Sequence, residues 1–339
     1  MTFKKPSYRL ALFAFLIAIV VVVLGAFTRL RDAGLGCPDW PTCYGHLWVP
    51  DSAEEIHAAN QAFSTTPVET DKTWPEQVHR IFASSLGVLT IGLLIMAIRH
   101  RRHPGQPLKL PAFLLTFIIL QGLFGMWTVT LLLWPQVVTA HLLGGFTTLS
   151  LLWLMVQRLG NFSWKLPAAD VQRIRQVRTL AIAGLLIVIV QIMLGGWTST
   201  NYAALACPDF PTCHQTWLPE MDLKDGFNIF QHIGPNYLGG QLDNTARTAI
   251  HFVHRLGALA TFLTVLVLVG KLLATGVPQA RQLGVVTAII LFAQVGLGIS
   301  NVVFALPLPV AVAHNGVGAL LLLAMVTICH RVLTVEQTN

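Results

Sequence analysis

The sequence predicts an all-α integral membrane protein whose eight transmembrane helices form two tandem, pseudo-symmetric four-helix bundles. Three observations predict it. Apolar residues make up 54% of the 339 and charged residues only 11%, where an ordinary soluble domain carries about a quarter charged. Eight stretches are uncharged for about the length of a bilayer core. Finally, motifs in the first half recur in the second at an offset of 170–175 residues.

The eight stretches lie near 10–28, 81–98, 110–134, 136–157, 179–200, 256–270, 282–306 and 308–329. The second and sixth begin a few residues earlier, at polar positions. Lys4, Lys5 and Arg9 precede the first, as in a signal peptide. It runs too long for one and has no small-residue cleavage site, so it reads as a retained anchor. Of the 22 Lys and Arg, 15 fall in the N-terminus, 99–109, 158–178, 271–281 and the C-terminal end. The positive-inside rule then places both termini in the cytoplasm and the long loops 29–75 and 201–246 outside. This bias accounts for the sequence pI near 9.4, and no nucleic-acid partner is called for.

The repeat sets the domain organisation, with residues 1–165 as one half and 166–339 as the other. "LGAFTRL…CPDWPTC" from Leu24 matches "LGGWTST…CPDFPTC" from Leu194, and "VHRIFASSLG" matches "VHRLGALAT" with His79 on His254. "LQGLFGMWTV" matches "AQVGLGISNV", and "VVTAHLLGG" matches "VAVAHNGVG" with His141 on His314. Both halves begin on the same side, so the repeat is parallel. Each half then presents two histidines at similar depth, near the starts of helices that enter from outside.

An ionisable residue in a membrane segment is costly without a partner and points to function. A lone histidine that bonds a neighbouring carbonyl needs no such role, but a repeated pair per half asks for more. Zinc wants three or four protein ligands, and each half offers two. Two imidazoles facing across a helical bundle suit the axial positions of a haem iron. Glycines 144, 145, 316 and 318 would let a flat macrocycle approach the backbone. Arg80 and Arg255 each follow a histidine, either as partners for haem propionates or as interfacial anchors.

Cys37/Cys43 and Cys207/Cys213 lie in the outward loops, where an oxidising compartment favours a disulfide in each. Each bridge either staples its loop over the bundle or passes reducing equivalents inward. Cys329 reads as buried packing.

The halves differ in one telling place. Glu76 stands three residues before His79, whereas His251 stands three before His254. Positions i and i+3 share a helix face, so Glu76 would look at what His79 binds and move protons or stabilise charge there. The plainer reading is an acid in a helix's first turn. The asymmetry assigns a substrate to the N-terminal half and a permanent cofactor to the C-terminal half.

"EQVHR" with "TAHLLGG" and "HFVHR" with "VAHNGVG", set in this eight-helix pattern, resemble the haem A synthase family of cytochrome oxidase biogenesis along nearly the whole chain. The resemblance implies an enzyme of the bacterial inner membrane. It oxidises the C8 methyl of haem O to the formyl group of haem A in two successive oxygenations. It implies haem b as cofactor on His254 and His314, the substrate haem on His79 and His141, and Glu76 as the essential acid. Haem O synthase, a quinol or thiol electron donor, membrane lipid and further copies of the chain are the partners it suggests. The cysteine pairs are thought to serve a disulfide relay in some members. Two rivals explain the histidines alone: a dihaem b-type electron carrier and a haem transporter. Neither accounts for the Glu76/His251 asymmetry.

Overall fold

The computed structural model describes residues 6–103 and 106–338; Lys4 and Lys5 lie outside them. The described chain is helical with one two-stranded exception. Its order is α1 (Pro6–Leu30), α2 (Ala53–Ala62), α3 (Thr70–Arg99), α4 (Lys109–Thr130), α5 (Pro135–Leu159), β1 (Lys165–Leu166), α6 (Ala168–Gln176), α7 (Arg178–Thr200), α8 (Leu223–Gly226), α9 (Asn244–Ala274), α10 (Pro278–Val303), α11 (Leu308–Leu333) and β2 (Glu336–Gln337). Among the described residues eight helices are long and apolar enough to cross a membrane: α1, α3, α4, α5, α7 with α6 leading into it, α9, α10 and α11.

Local chemistry sets several of the boundaries. α5, α10 and α11 carry a proline in their first two positions, where its missing N–H costs nothing. The segment 52–63, polar and of undecided structure in the sequence, folds as α2. Ser52 accepts from the Glu55 N–H, and the Glu55 carboxylate accepts in return from the Ser52 N–H, a reciprocal capping box.

α3 and α9 begin much earlier than their apolar stretches. Their first three turns, "TDKTWPEQVHR" and "NTARTAIHFVHR", are polar yet well packed: Thr73, Glu76 and Gln77 are buried, as are Thr248 and His251. These turns pack against the cysteine loops rather than lipid, which hydropathy does not detect. The consequence is that His79 and His254 stand about 14–15 Å along their helices, at 1.5 Å per residue, and not at the ends. His141 and His314 stand about 9 Å along theirs.

In the N-terminal group α1 and α4 each pack on both α3 and α5; in the C-terminal group α7 and α10 each pack on both α9 and α11. The histidine-bearing helices are therefore the diagonals of each group. α1 and α5 meet α7 and α11 between the groups. Buried Ala11, Ala14 and Ala18 on α1 allow the close helix approach that membrane packing relies on. Hydrogen bonds also join the groups, from Trp153 Nε1 to Thr327 Oγ1 (2.8 Å) and between the hydroxyls of Thr139 and Thr200 (3.2 Å). Arg29 donates to the Ser199 carbonyl at 2.6 Å and to the Tyr202 hydroxyl at 3.0 Å. The second cysteine loop reaches over the α4–α5 turn: the Tyr237 N–H donates to the Leu132 carbonyl (3.0 Å), and Trp134 Nε1 to that of Gln231 (3.1 Å). On the opposite face β1 and β2 pair in parallel and tie the link between the groups to the end of the chain.

Candidate functional site

Each of the four histidines rests in a notch cut by a glycine on a neighbouring helix. A Cβ added at Gly25 of α1 would lie 3.0 Å from His79 Cε1, and one at Gly125 of α4 would lie 3.4 Å from His141 Cε1. Gly195 of α7 meets His254 Cε1 at 3.3 Å, and Gly298 of α10 meets His314 Cε1 at 3.1 Å. A Cβ at Gly25, Gly195 or Gly298 would press on the imidazole, and one at Gly125 would just touch it. Four residues before each glycine, one helical turn away, stand Val21, Gln121, Gln191 and Gln294. The buried Nδ1 atoms of His79, His141 and His314 lack a well-formed hydrogen bond, and the rings face the carbonyls of Val21, Gln121 and Gln294. Gln191 Nε2 lies 3.1 Å from His254 Nδ1 and 3.1 Å from the His254 carbonyl. The notch thus sets how closely each ring approaches the neighbouring helix.

His79 and His141 stand on the diagonal helices α3 and α5, and His254 and His314 on α9 and α11. All four are partly exposed. Among the described residues no group of three or more His, Cys, Asp and Glu side chains gathers as a metal cluster would, so the donor set in each half is two imidazoles. That set fits haem. The glycines expected to admit a macrocycle divide into two kinds. A Cβ at Gly144 would collide with Gln121 Nε2, and one at Gly318 would fall 3.3 Å from Gln294 Nε2, whereas Gly145 and Gly316 have nothing within 4 Å. The first two make room for glutamines; the last two border open space.

Both cysteine pairs are disulfides, Cys37–Cys43 and Cys207–Cys213, and their sulfurs are shut off from solvent: Cys37, Cys43 and Cys207 are 0% exposed and Cys213 1%. Cys329 is a buried free thiol donating toward the Ala181 carbonyl. The "PDxPT" between the cysteines has its own logic. Asp39 accepts from Thr42 Oγ1 (2.5 Å) and from the N–H groups of Tyr44 (2.6 Å) and Gly45 (2.8 Å). Asp209 does the same with Thr212, His214 and Gln215. Burial pushes the Asp39 carboxyl up, but these hydrogen bonds outweigh it and hold the group below the usual range. The Thr212 hydroxyl, with the two N–H groups, lowers Asp209. Each loop is a tight hairpin closed by an aspartate, which the sequence reading missed although the repeated Asp and Thr carried the signal.

Arg80 and Arg255 point into these hairpins. Arg80 donates to the carbonyls of Asp39 (2.7 Å) and Thr42 (2.6 Å) and forms an ion pair with Glu76. Arg255 donates to the carbonyls of Asp209, Thr212 and Cys207, all at 2.8 Å. Loop carbonyls thus engage both guanidiniums. Glu76 is 4% exposed, and its other carboxylate oxygen accepts from the Cys37 N–H at 3.0 Å. The acid is held from the loop side, one turn from His79.

The family model for COX15-CtaA, described as cytochrome oxidase assembly protein, matches residues 8–326. The chain belongs to this family. It is 44% identical over 310 residues to the haem A synthase of Shewanella oneidensis, an alignment spanning 91% of this chain and 92% of that one. Haem A synthases of Rhizorhabdus wittichii and Caulobacter vibrioides are each 28% identical, over 96% and 95% of this chain and 95% of their own. The family match runs through both cysteine loops and all four histidines.

Proposed function

We propose that this protein is a haem A synthase, which oxidises the C8 methyl of haem O to the formyl group of haem A by two successive oxygenations. The observation that carries the reading is the arrangement in each half of two imidazoles on diagonal helices, each backed by a glycine notch, in a chain of this family. The N-terminal pair, His79 and His141, holds the substrate haem. The C-terminal pair, His254 and His314, holds haem b, which when bound supplies one-electron chemistry. A neutral imidazole that gives its ring N–H to one neighbour keeps its other nitrogen for the iron. Glu76, fixed by Arg80 and the Cys37 N–H, holds or moves a proton at the substrate side. Arg80 and Arg255 keep the hairpins seated over the two pairs, excluding water from below. The basic face, carrying Arg99, Arg158, Arg173, Arg175 and Lys271, is the cytoplasmic one of a bacterial inner membrane.

Cells that make haem O test this directly. Chromatography of their extracted haems is expected to show haem A only when this chain is present; haem b on the protein without conversion, given reductant and oxygen, would favour an electron carrier.

The notches make a second expectation. Gly298→Ala or Gly195→Ala sets a methyl about 3.1–3.3 Å from the imidazole, and overpacking of this kind costs about 1–3 kcal/mol. Haem b retention in the purified protein should fall by about 5- to 150-fold in affinity. Gly270→Ala on the same bundle, with nothing within 4 Å of its Cβ, should leave it unchanged. Equal retention in all three would remove the notch from the account.

A further inference from the structure

We infer that His251 is a positioning residue, the latch that holds the Cys207–Cys213 hairpin and Arg255 over the C-terminal histidine pair in the place where the N-terminal half uses a carboxylate. The contacts of Glu76 and His251 correspond one for one. Glu76 accepts from the N–H of Cys37, the first cysteine of its hairpin, and from Arg80 four residues on. His251 takes the N–H of Cys207, the first cysteine of the other hairpin, on Nδ1 at 3.1 Å, and Arg255 Nε, again four residues on, on Nε2 at 3.2 Å. Both side chains are 4% exposed. Each arginine then reaches the carbonyls at the same two hairpin positions, Asp39 and Thr42 in one and Asp209 and Thr212 in the other. One side chain therefore ties the start of the hairpin and its arginine to the helix that carries the histidine.

The two latches are not equally well satisfied. A carboxylate is acceptor-only and takes both donors at once. A neutral imidazole has one acceptor nitrogen, yet both ring nitrogens of His251 meet an N–H donor. Whichever tautomer forms, one of the two donors faces a ring N–H, so the latch at His251 holds by one good bond where Glu76 holds by two. A carboxylate at 251 would accept from both donors and tighten this hairpin. This follows from the contacts alone and stands apart from the haem chemistry proposed above.

A buried disulfide is reduced through local opening of its loop, so its rate reports how well the loop is held. The full chain, purified in detergent, is treated with a water-soluble phosphine, alkylated and digested, and the two disulfides are quantified separately by mass spectrometry. Cys37–Cys43 serves as the internal reference. His251→Ala is expected to speed reduction of Cys207–Cys213 about tenfold, the loss of one hydrogen bond, with Cys37–Cys43 unchanged. His251→Glu is expected to slow it several-fold, by about the same bond's worth, below the unsubstituted protein. Equal acceleration of both disulfides in His251→Ala means general loosening and overturns the inference. So does a His251→Glu protein whose Cys207–Cys213 bond is reduced as fast as, or faster than, the original; this variant decides the matter where His251→Ala fails to accumulate.

Discussion

Glu76→Ala is expected to abolish haem A formation, a fall of about 10²- to 10⁴-fold for loss of a positioned acid–base group, while haem b stays bound at His254 and His314. The expectation rests on where the halves part company. Both have a hairpin, an arginine, two histidines and their glycine notches; only the N-terminal half places a carboxylate in the turn before its first histidine. Because Glu76 also seats the Cys37 hairpin, Glu76→Gln separates its two duties. An amide still offers the Cys37 N–H an acceptor but cannot carry the proton. It should therefore keep the Cys37–Cys43 disulfide protected and still lose the product. Full activity in Glu76→Ala, read by chromatography of extracted haems, would remove the case for separate roles.

His254→Ala is expected to lose the stably bound haem b, because it deletes one of the two ligands proposed for the C-terminal bundle. His79→Ala should leave haem b in place and lose conversion instead. Absorption spectra and haem content of the two purified variants check this. An unchanged haem b content in His254→Ala would place the cofactor elsewhere.

Much of the architecture was legible in the sequence, for physical reasons that also mark its limits. Hydrophobic length alone located the eight spans, since lipid tolerates little else. It failed at the starts of α3 and α9, where polar turns are buried by protein loops and carry no apolar signature. The four histidines stood out as costly residues in apolar helices, and the shared Gly125 and Gly298 were visible in the repeat. That these glycines, with Gly25 and Gly195, back the imidazoles is a contact between residues of different helices, 16 to 59 positions apart in sequence, which no local pattern encodes. The loop contacts of the two arginines were hidden for a similar reason: hairpins closed by Asp39 and Asp209 present carbonyls to Arg80 and Arg255. The disulfides were expected from the compartment; their burial came only with the fold. A bond shut away from solvent this completely acts as a staple in this conformation, and an external dithiol reaches it only when the hairpin opens.

The central claim is that two similar histidine pairs do different jobs. Haems extracted from the purified protein, made in cells with and without haem O, test it most directly. The account predicts haem b in both preparations, lost only when His254 or His314 is replaced, and haem O or haem A only in the first, lost when His79 or His141 is replaced. Two haem b per chain in both preparations, one on each pair and unaltered by haem O, would contradict it and leave a dihaem electron carrier.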